Sequence, residues 1–126
     1  MKVDMLGWQV SNLELSQKLK ELGVKQESLF CYDWYREGKE EGVFGGQVLS
    51  KRYTPDAVSA FSVAELGQLI GTKAPLPRLM GDGFWEVGFY IQDEGSDSIV
   101  AKTEADCRAK LLIYLIEKNY IKMEAK

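Results

Sequence analysis

The stretch FWEVGFYIQDEGSDSIVAKTEADCRAKLLIYLIEK, Phe84 to Lys118, decides the fold class. Its first eight residues alternate. Trp85, Val87, Phe89 and Ile91 fall on one side, and Phe84, Glu86, Gly88 and Tyr90 on the other, the period of a half-buried strand. DEGSD, residues 93–97, reads as a hairpin loop, and Ser98 to Ala101 as the returning strand. Thr103 then stands three residues before Asp106, the spacing at which a hydroxyl caps a helix and a carboxylate reaches back to the cap amide. A helix is expected over 104–118, with Ala105, Ala109, Leu112 and Ile116 as its apolar stripe, widened by Ile113 and Leu115. A hairpin followed by a helix that can cover its apolar side is a unit of an α+β layer.

Outward from this unit, the same capping device recurs. Ser11–Asn12–Leu13–Glu14 and Ser62–Val63–Ala64–Glu65 each announce a helix start, with Asn12 an alternative first cap. The first helix is expected over 13–22, burying Leu15, Leu19 and Leu22 and ending at Gly23. The second is expected over 63–70, burying Val63, Leu66 and Ile70 and stopping at Gly71. Gly67 inside it costs about 1 kcal/mol relative to alanine; close backbone approach and simple tolerance both account for it. SLFCYDWY, Ser28 to Tyr35, is an aromatic strand with Phe30, Tyr32 and Trp34 on one face and Leu29, Cys31, Asp33 and Tyr35 on the other. A weaker strand falls within 43–53, and Thr54–Pro55–Asp56 turns the chain. Residues 71–83, with Pro75, Pro77, Gly81 and Gly83, read as an irregular connection. The order is α-β-β-α-β-β-α. It implies one α+β domain over 1–126, with a mainly antiparallel four-stranded sheet and three helices packed on one face.

Composition narrows the chemistry. The chain has 126 residues, enough for a core without staples. Its zero histidines exclude Ser-His-Asp and Cys-His catalysis and imidazole metal ligation. Basic and acidic residues, 16 against 19, are spread evenly along the chain, so duplex nucleic acid is not an expected partner. No stretch approaches the roughly 20 apolar residues of a membrane span, and the first residues lack the pattern of a secretory leader, so a cytoplasmic protein is expected. Cys31 and Cys107 have no CxxC spacing and read as buried, reduced thiols. At the start of the last helix the dipole would act to lower the Cys107 pKa.

Three segments carry a resemblance: KLKELGVKQESLF from Lys18, SAFSVAELGQLI from Ser59 and TEADCRAKLLIYLIEKNYI from Thr103. Together, in this order, they resemble a group of small bacterial proteins, many encoded in phage and prophage regions, for which no activity is established. The resemblance implies a bacterial, mobile-element source. It transfers no catalytic residue, and Cys107 stands where alanine is typical of the group.

No motif carries catalysis. Gly81–Asp82–Gly83 precedes a strand instead of leading into a helix, so it is a turn and not a phosphate cradle. Asp93, Glu94 and Asp97 lack EF-hand spacing and suit a hairpin turn. No metal site or cofactor is expected. Glu86 with Asp33 or Glu65 leaves a carboxylate-based hydrolase open, since that chemistry needs only two carboxyls about 5–10 Å apart. The informative feature is a mismatch of faces. Helices on one side of the sheet leave Leu29, Asp33, Tyr35, Phe84, Glu86 and Tyr90 on the other, an aromatic surface for a protein partner or a second copy. The expectation is a non-enzymatic interaction module. The alternative is a single-stranded nucleic-acid-binding accessory protein that stacks bases on the same aromatics, although Lys51–Arg52 is the only adjacent basic pair.

Overall fold

The computed structural model describes residues 9–32, 48–49, 57–72, 74–91 and 95–122. They form three helices, α1 (Leu13–Glu21), α2 (Val63–Ile70) and α3 (Glu104–Glu117). Six strands accompany them: β1 (Phe30–Tyr32), β2 (Val48–Leu49), β3 (Val58–Ala60), β4 (Arg78–Leu79), β5 (Trp85–Ile91) and β6 (Gly95–Ala101). None of the described helices is long and apolar enough to cross a membrane.

The capping residues set the helix starts. Asn12, not Ser11, caps α1, its side chain accepting from the Leu15 amide at 2.8 Å. Ser62 and Glu65 close both halves of a capping box on α2, at 3.2 and 2.9 Å. Thr103 accepts from the Asp106 amide at 3.1 Å to start α3. The reciprocal half of that third box is absent, because the Asp106 carboxylate goes to Asn12 instead.

The chain is α+β, as its sequence implies, but the strands do not form one four-stranded sheet. They form two three-stranded antiparallel sheets, ordered β2-β1-β3 and β4-β5-β6. Two short strands make the difference. Val58–Ala60 pairs with β1, and Arg78–Leu79 lies in the proline-rich connection and pairs with β5. The expected turn at 54–56 lies outside the described residues. Each central strand therefore has both edges filled, and β1 and β5 have none left for each other. The β5–β6 hairpin is also tighter than expected. Its ladder runs to Ile91 opposite Gly95, so 95–97 belong to β6.

The helices likewise do not share one sheet face. α1 packs on β3, α3 packs on β5 and β6, and α2 packs on α3. α3 is the centre of the main core. Its buried Ala105, Cys107, Ala109, Leu111, Leu112 and Leu115 meet Leu66 and Ile70 of α2, Leu19 of α1, and Val87 and Ala101 of the second sheet. Each fully buried leucine contributes about 1.5–3 kcal/mol. A smaller cluster joins Val10, Tyr32, Val58 and Ala60, with Leu13 packed against it.

Candidate interaction surface

The β4–β5 hairpin is built by its turn. Met80 donates to the Phe84 carbonyl at 2.7 Å, Gly83 donates to Met80 at 3.0 Å, and Asp82 Oδ1 accepts from the Phe84 amide at 3.0 Å. Gly83 sits at φ +92°, which a side chain would oppose. The Gly81–Asp82–Gly83 segment is thus a turn, as its sequence suggests. The turn fixes the register Leu79↔Trp85 and Arg78↔Glu86.

That register divides the second sheet into two faces. Val87 is buried and Trp85 packs against the core, with Ile99 and Ala101 opposite them on β6. The other face carries Phe84 just before β5, Glu86 and Gly88 of β5, Arg78 of β4, and Ser98 and Val100 of β6. Phe84 is 37% exposed and Val100 44% exposed, while Arg78, Gly88 and Ser98 are also exposed and Glu86 is half-buried. No ion pair within 4 Å joins Arg78 to Glu86 or to any other described residue. At the open edge of β6, Lys110 Nζ donates to the Val100 carbonyl at 3.1 Å, placing a charge where a further strand would add.

The six residues expected to share one face are thus divided. Phe84 and Glu86 lie together on the second sheet, and Tyr90 follows on the same strand, opposite Ser96. Leu29 is 69% exposed but precedes β1, in the other sheet, where its amide donates to Glu65 Oε2 at 3.0 Å. Asp33 and Tyr35 lie outside the described residues. The first sheet offers no wet second face at its centre, because Cys31 and Ser59, opposite each other, are both buried. Arg78 and Val100 are additions. The Leu-Met-Gly-Asp-Gly-Phe-Trp run, apolar pairs around a glycine turn, was the sequence signal for the hairpin that presents Arg78.

The polar groups elsewhere are committed to structure. Tyr32 donates its hydroxyl to the Ser11 carbonyl at 2.8 Å, and burial, then the nearby Asp106 charge, pushes it up to about 12. Ser11 and Ser16 share a buried hydrogen bond of 2.7 Å. Glu65 spends one oxygen on Ser62 and the other on Leu29. Burial holds the Asp106 carboxyl above the ordinary aspartate value, against bonds from Asn12 and Thr103 and the charge of Lys110. Cys107 is fully buried, and burial pushes its thiol up to about 11, so desolvation overrides the helix dipole invoked above. A groove of about 710 Å³ lies between α1 and α3, with Leu13, Leu15 and Ile113 among charged residues. Among the described residues no cluster of three metal-ligating side chains occurs. No family model, curated protein or solved structure matches the chain.

Proposed function

We propose that the protein is a non-catalytic interaction module that presents the outer face of its second sheet. One observation carries the reading. Phe84 and Val100 stand exposed on the side of β5 and β6 opposite the core, although Trp85 and Val87 already give that sheet its buried face. Phe84 and Val100 beside Arg78 and Glu86 have the composition of a small protein-binding patch, in which aromatic and arginine side chains are enriched. The strand cation of this face, Arg78, stands beside the carboxylate of Glu86, which favours protein over the phosphate backbone of single-stranded nucleic acid. The commitment of Ser11, Ser16, Tyr32, Glu65 and Asp106 to structural bonds favours binding over catalysis. A phage or prophage setting rests on the resemblance of the three sequence segments alone.

A photo-crosslinking residue at position 84, compared with one at exposed Ala64 on α2, tests the reading. The expected result is an adduct, with the pure protein or a bacterial extract, that forms only from position 84. Excess wild-type protein should compete it away, and Phe84→Ser protein should not. Equal labelling from 84 and 64, or none from either, overturns it.

A further inference from the structure

We infer that the partner of this face is a second copy of the chain, docked sheet to sheet about a two-fold axis. The inference rests on the interaction reading above and goes beyond it by naming the occupant. Its basis is that the face is complementary to itself. The register sets Arg78 of β4 directly opposite Glu86 of β5, on neighbouring strands, with no ion pair between them or to another described residue. An isologous interface requires that residue i of one copy meet residue j of the other, and j meet i. A two-fold axis running along the strands, between β4 and β5, lays β4 of each copy over β5 of the other. Arg78 then faces Glu86 of the second copy, twice over. Facing sheets pack about 10 Å apart, a gap that an extended arginine and a glutamate span together. The same axis brings exposed Phe84, just before β5, over the β4 end of the second copy, next to the hairpin turn. A symmetry that set β5 on β5 would instead oppose Glu86 to Glu86.

Edge-to-edge pairing is the competing way for two copies to join, and it meets two obstacles. β4 is only two residues long, and Lys110 occupies the β6 edge at the Val100 carbonyl. The facing patch is small, so the dimer belongs with weak, reversible interfaces of under about 1,200 Å².

Sedimentation of the full chain at low salt, from about 10 µM to 1 mM, reads the mass directly, spanning the range in which weak interfaces dissociate. The expected result is a rise from 14.2 kDa toward twice that mass with concentration. Arg78→Glu alone and Glu86→Arg alone should each stay monomeric, since each variant opposes like charges across the axis. An equimolar mixture of the two should recover the dimer. Phe84→Ser, which leaves both charges in place at an exposed site, should also lose it with an unchanged circular dichroism spectrum. A wild-type chain that stays monomeric at about 1 mM overturns the inference. So does a dimer that survives Phe84→Ser in folded protein, whatever the charge reversals do. An adduct from position 84 to another protein, with no self-adduct and a monomeric wild type, would sink the two-fold dimer and leave the interaction reading standing.

Discussion

Asp106 grips both nitrogens of Asn12, 94 residues away in sequence. One carboxylate oxygen accepts from the Asn12 amide at 2.8 Å and the other from its side-chain nitrogen at 3.2 Å. Asn12 meanwhile caps α1 through its own side-chain oxygen. The first turn of α3 therefore holds the cap of α1 in place, and Lys18 and Glu117 meet at 3.4 Å toward the other ends of the same two helices. The helices run side by side in the same direction, tied at both ends, with the groove between them. The two ties differ in strength. Hydrogen bonds to a charged group contribute about 1.5–3 kcal/mol each when well buried, and a half-exposed ion pair about 0–1 kcal/mol.

A double-mutant cycle on Asn12→Ala and Asp106→Ala should give a coupling of about 1–2 kcal/mol in urea unfolding, at the low end for charged bonds because the site is partly exposed. Lys18→Ala should cost under about 0.5 kcal/mol. The backbone amide of residue 12 keeps its bond in the alanine variant, so the cycle reads the side-chain bond. Additive losses at 12 and 106 would show that this bond does not hold the helices together.

The same carboxylate gives a pH signature of definite sign. Burial raises its folded pKa above 3.8, the ordinary value, so the native state takes up this proton at a higher pH than the unfolded chain. Its contribution to stability is full below that ordinary value and falls as pH rises through the raised one. Asp106→Asn removes the titration. The stability of wild type relative to this variant should therefore decline with rising pH in the acid range above 3.8. A difference that increases with pH there would mean the carboxylate is stabilised in its charged form.

Much of this frame is legible in the sequence, and the reason is local chemistry. The α2 boundaries follow from Ser62 and Gly71, residues that act within one turn of themselves. The faces of β5 follow from alternation, and Val87 and Phe84 fall where it puts them. What escapes is set by long-range partners. Val58–Ala60 has three buried residues and no alternation, because both its faces are covered, and only its pairing with β1 makes it a strand. The two residues of β4 are too few for any period. The candidate face divides for the same reason: which strands share a sheet depends on pairing that neither Leu29 nor Phe84 encodes in its own neighbourhood.

Gly67 lies where α2 meets Arg108. A methyl group there would stand 2.8 Å from Arg108 Nη1, and that guanidinium is held by Glu104 through contacts of 3.1 and 2.9 Å. Its side chain is only 12% exposed, so it has little room to retreat. Alanine in a helix interior normally gains about 1 kcal/mol over glycine. Gly67→Ala should show less than half of that gain in the wild-type background and the full gain in Arg108→Ala. Equal gains in both would show that the glycine is merely tolerated.

Ser59 presents a different opportunity. Its hydroxyl is fully buried with no hydrogen-bond partner among the described residues, although its amide donates to Gln26 at 2.8 Å. An unsatisfied buried hydroxyl costs about 1–3 kcal/mol. Ser59→Ala keeps the amide bond and removes that cost, so it should raise the unfolding free energy by about 1 kcal/mol. A loss of similar size in thermal or urea unfolding would reveal a partner for the hydroxyl.

Tyr32 tests the buried polar network from the alkaline side. Its phenol donates to the Ser11 carbonyl, which also accepts from Ser16 Oγ at 3.2 Å, and the ring lies in the small core with Val10 and Val58. Burial, then the Asp106 charge, pushes its pKa from 10.0 to about 12. The raised value means that the folded state keeps the phenol neutral. This stabilisation is complete below pH 10 and is lost as pH rises through about 12. Tyr32→Phe should cost about 1 kcal/mol at neutral pH, the worth of the lost bond. The variant has no phenol to ionise on unfolding, so the gap from wild type should narrow at about pH 11, by roughly 1 kcal/mol. Asp106→Asn removes the secondary cause, and the alkaline shift in the tyrosinate absorbance of Tyr32 should shrink with it. An unchanged titration in that variant would assign the whole shift to burial and detach Tyr32 from the tie between α1 and α3.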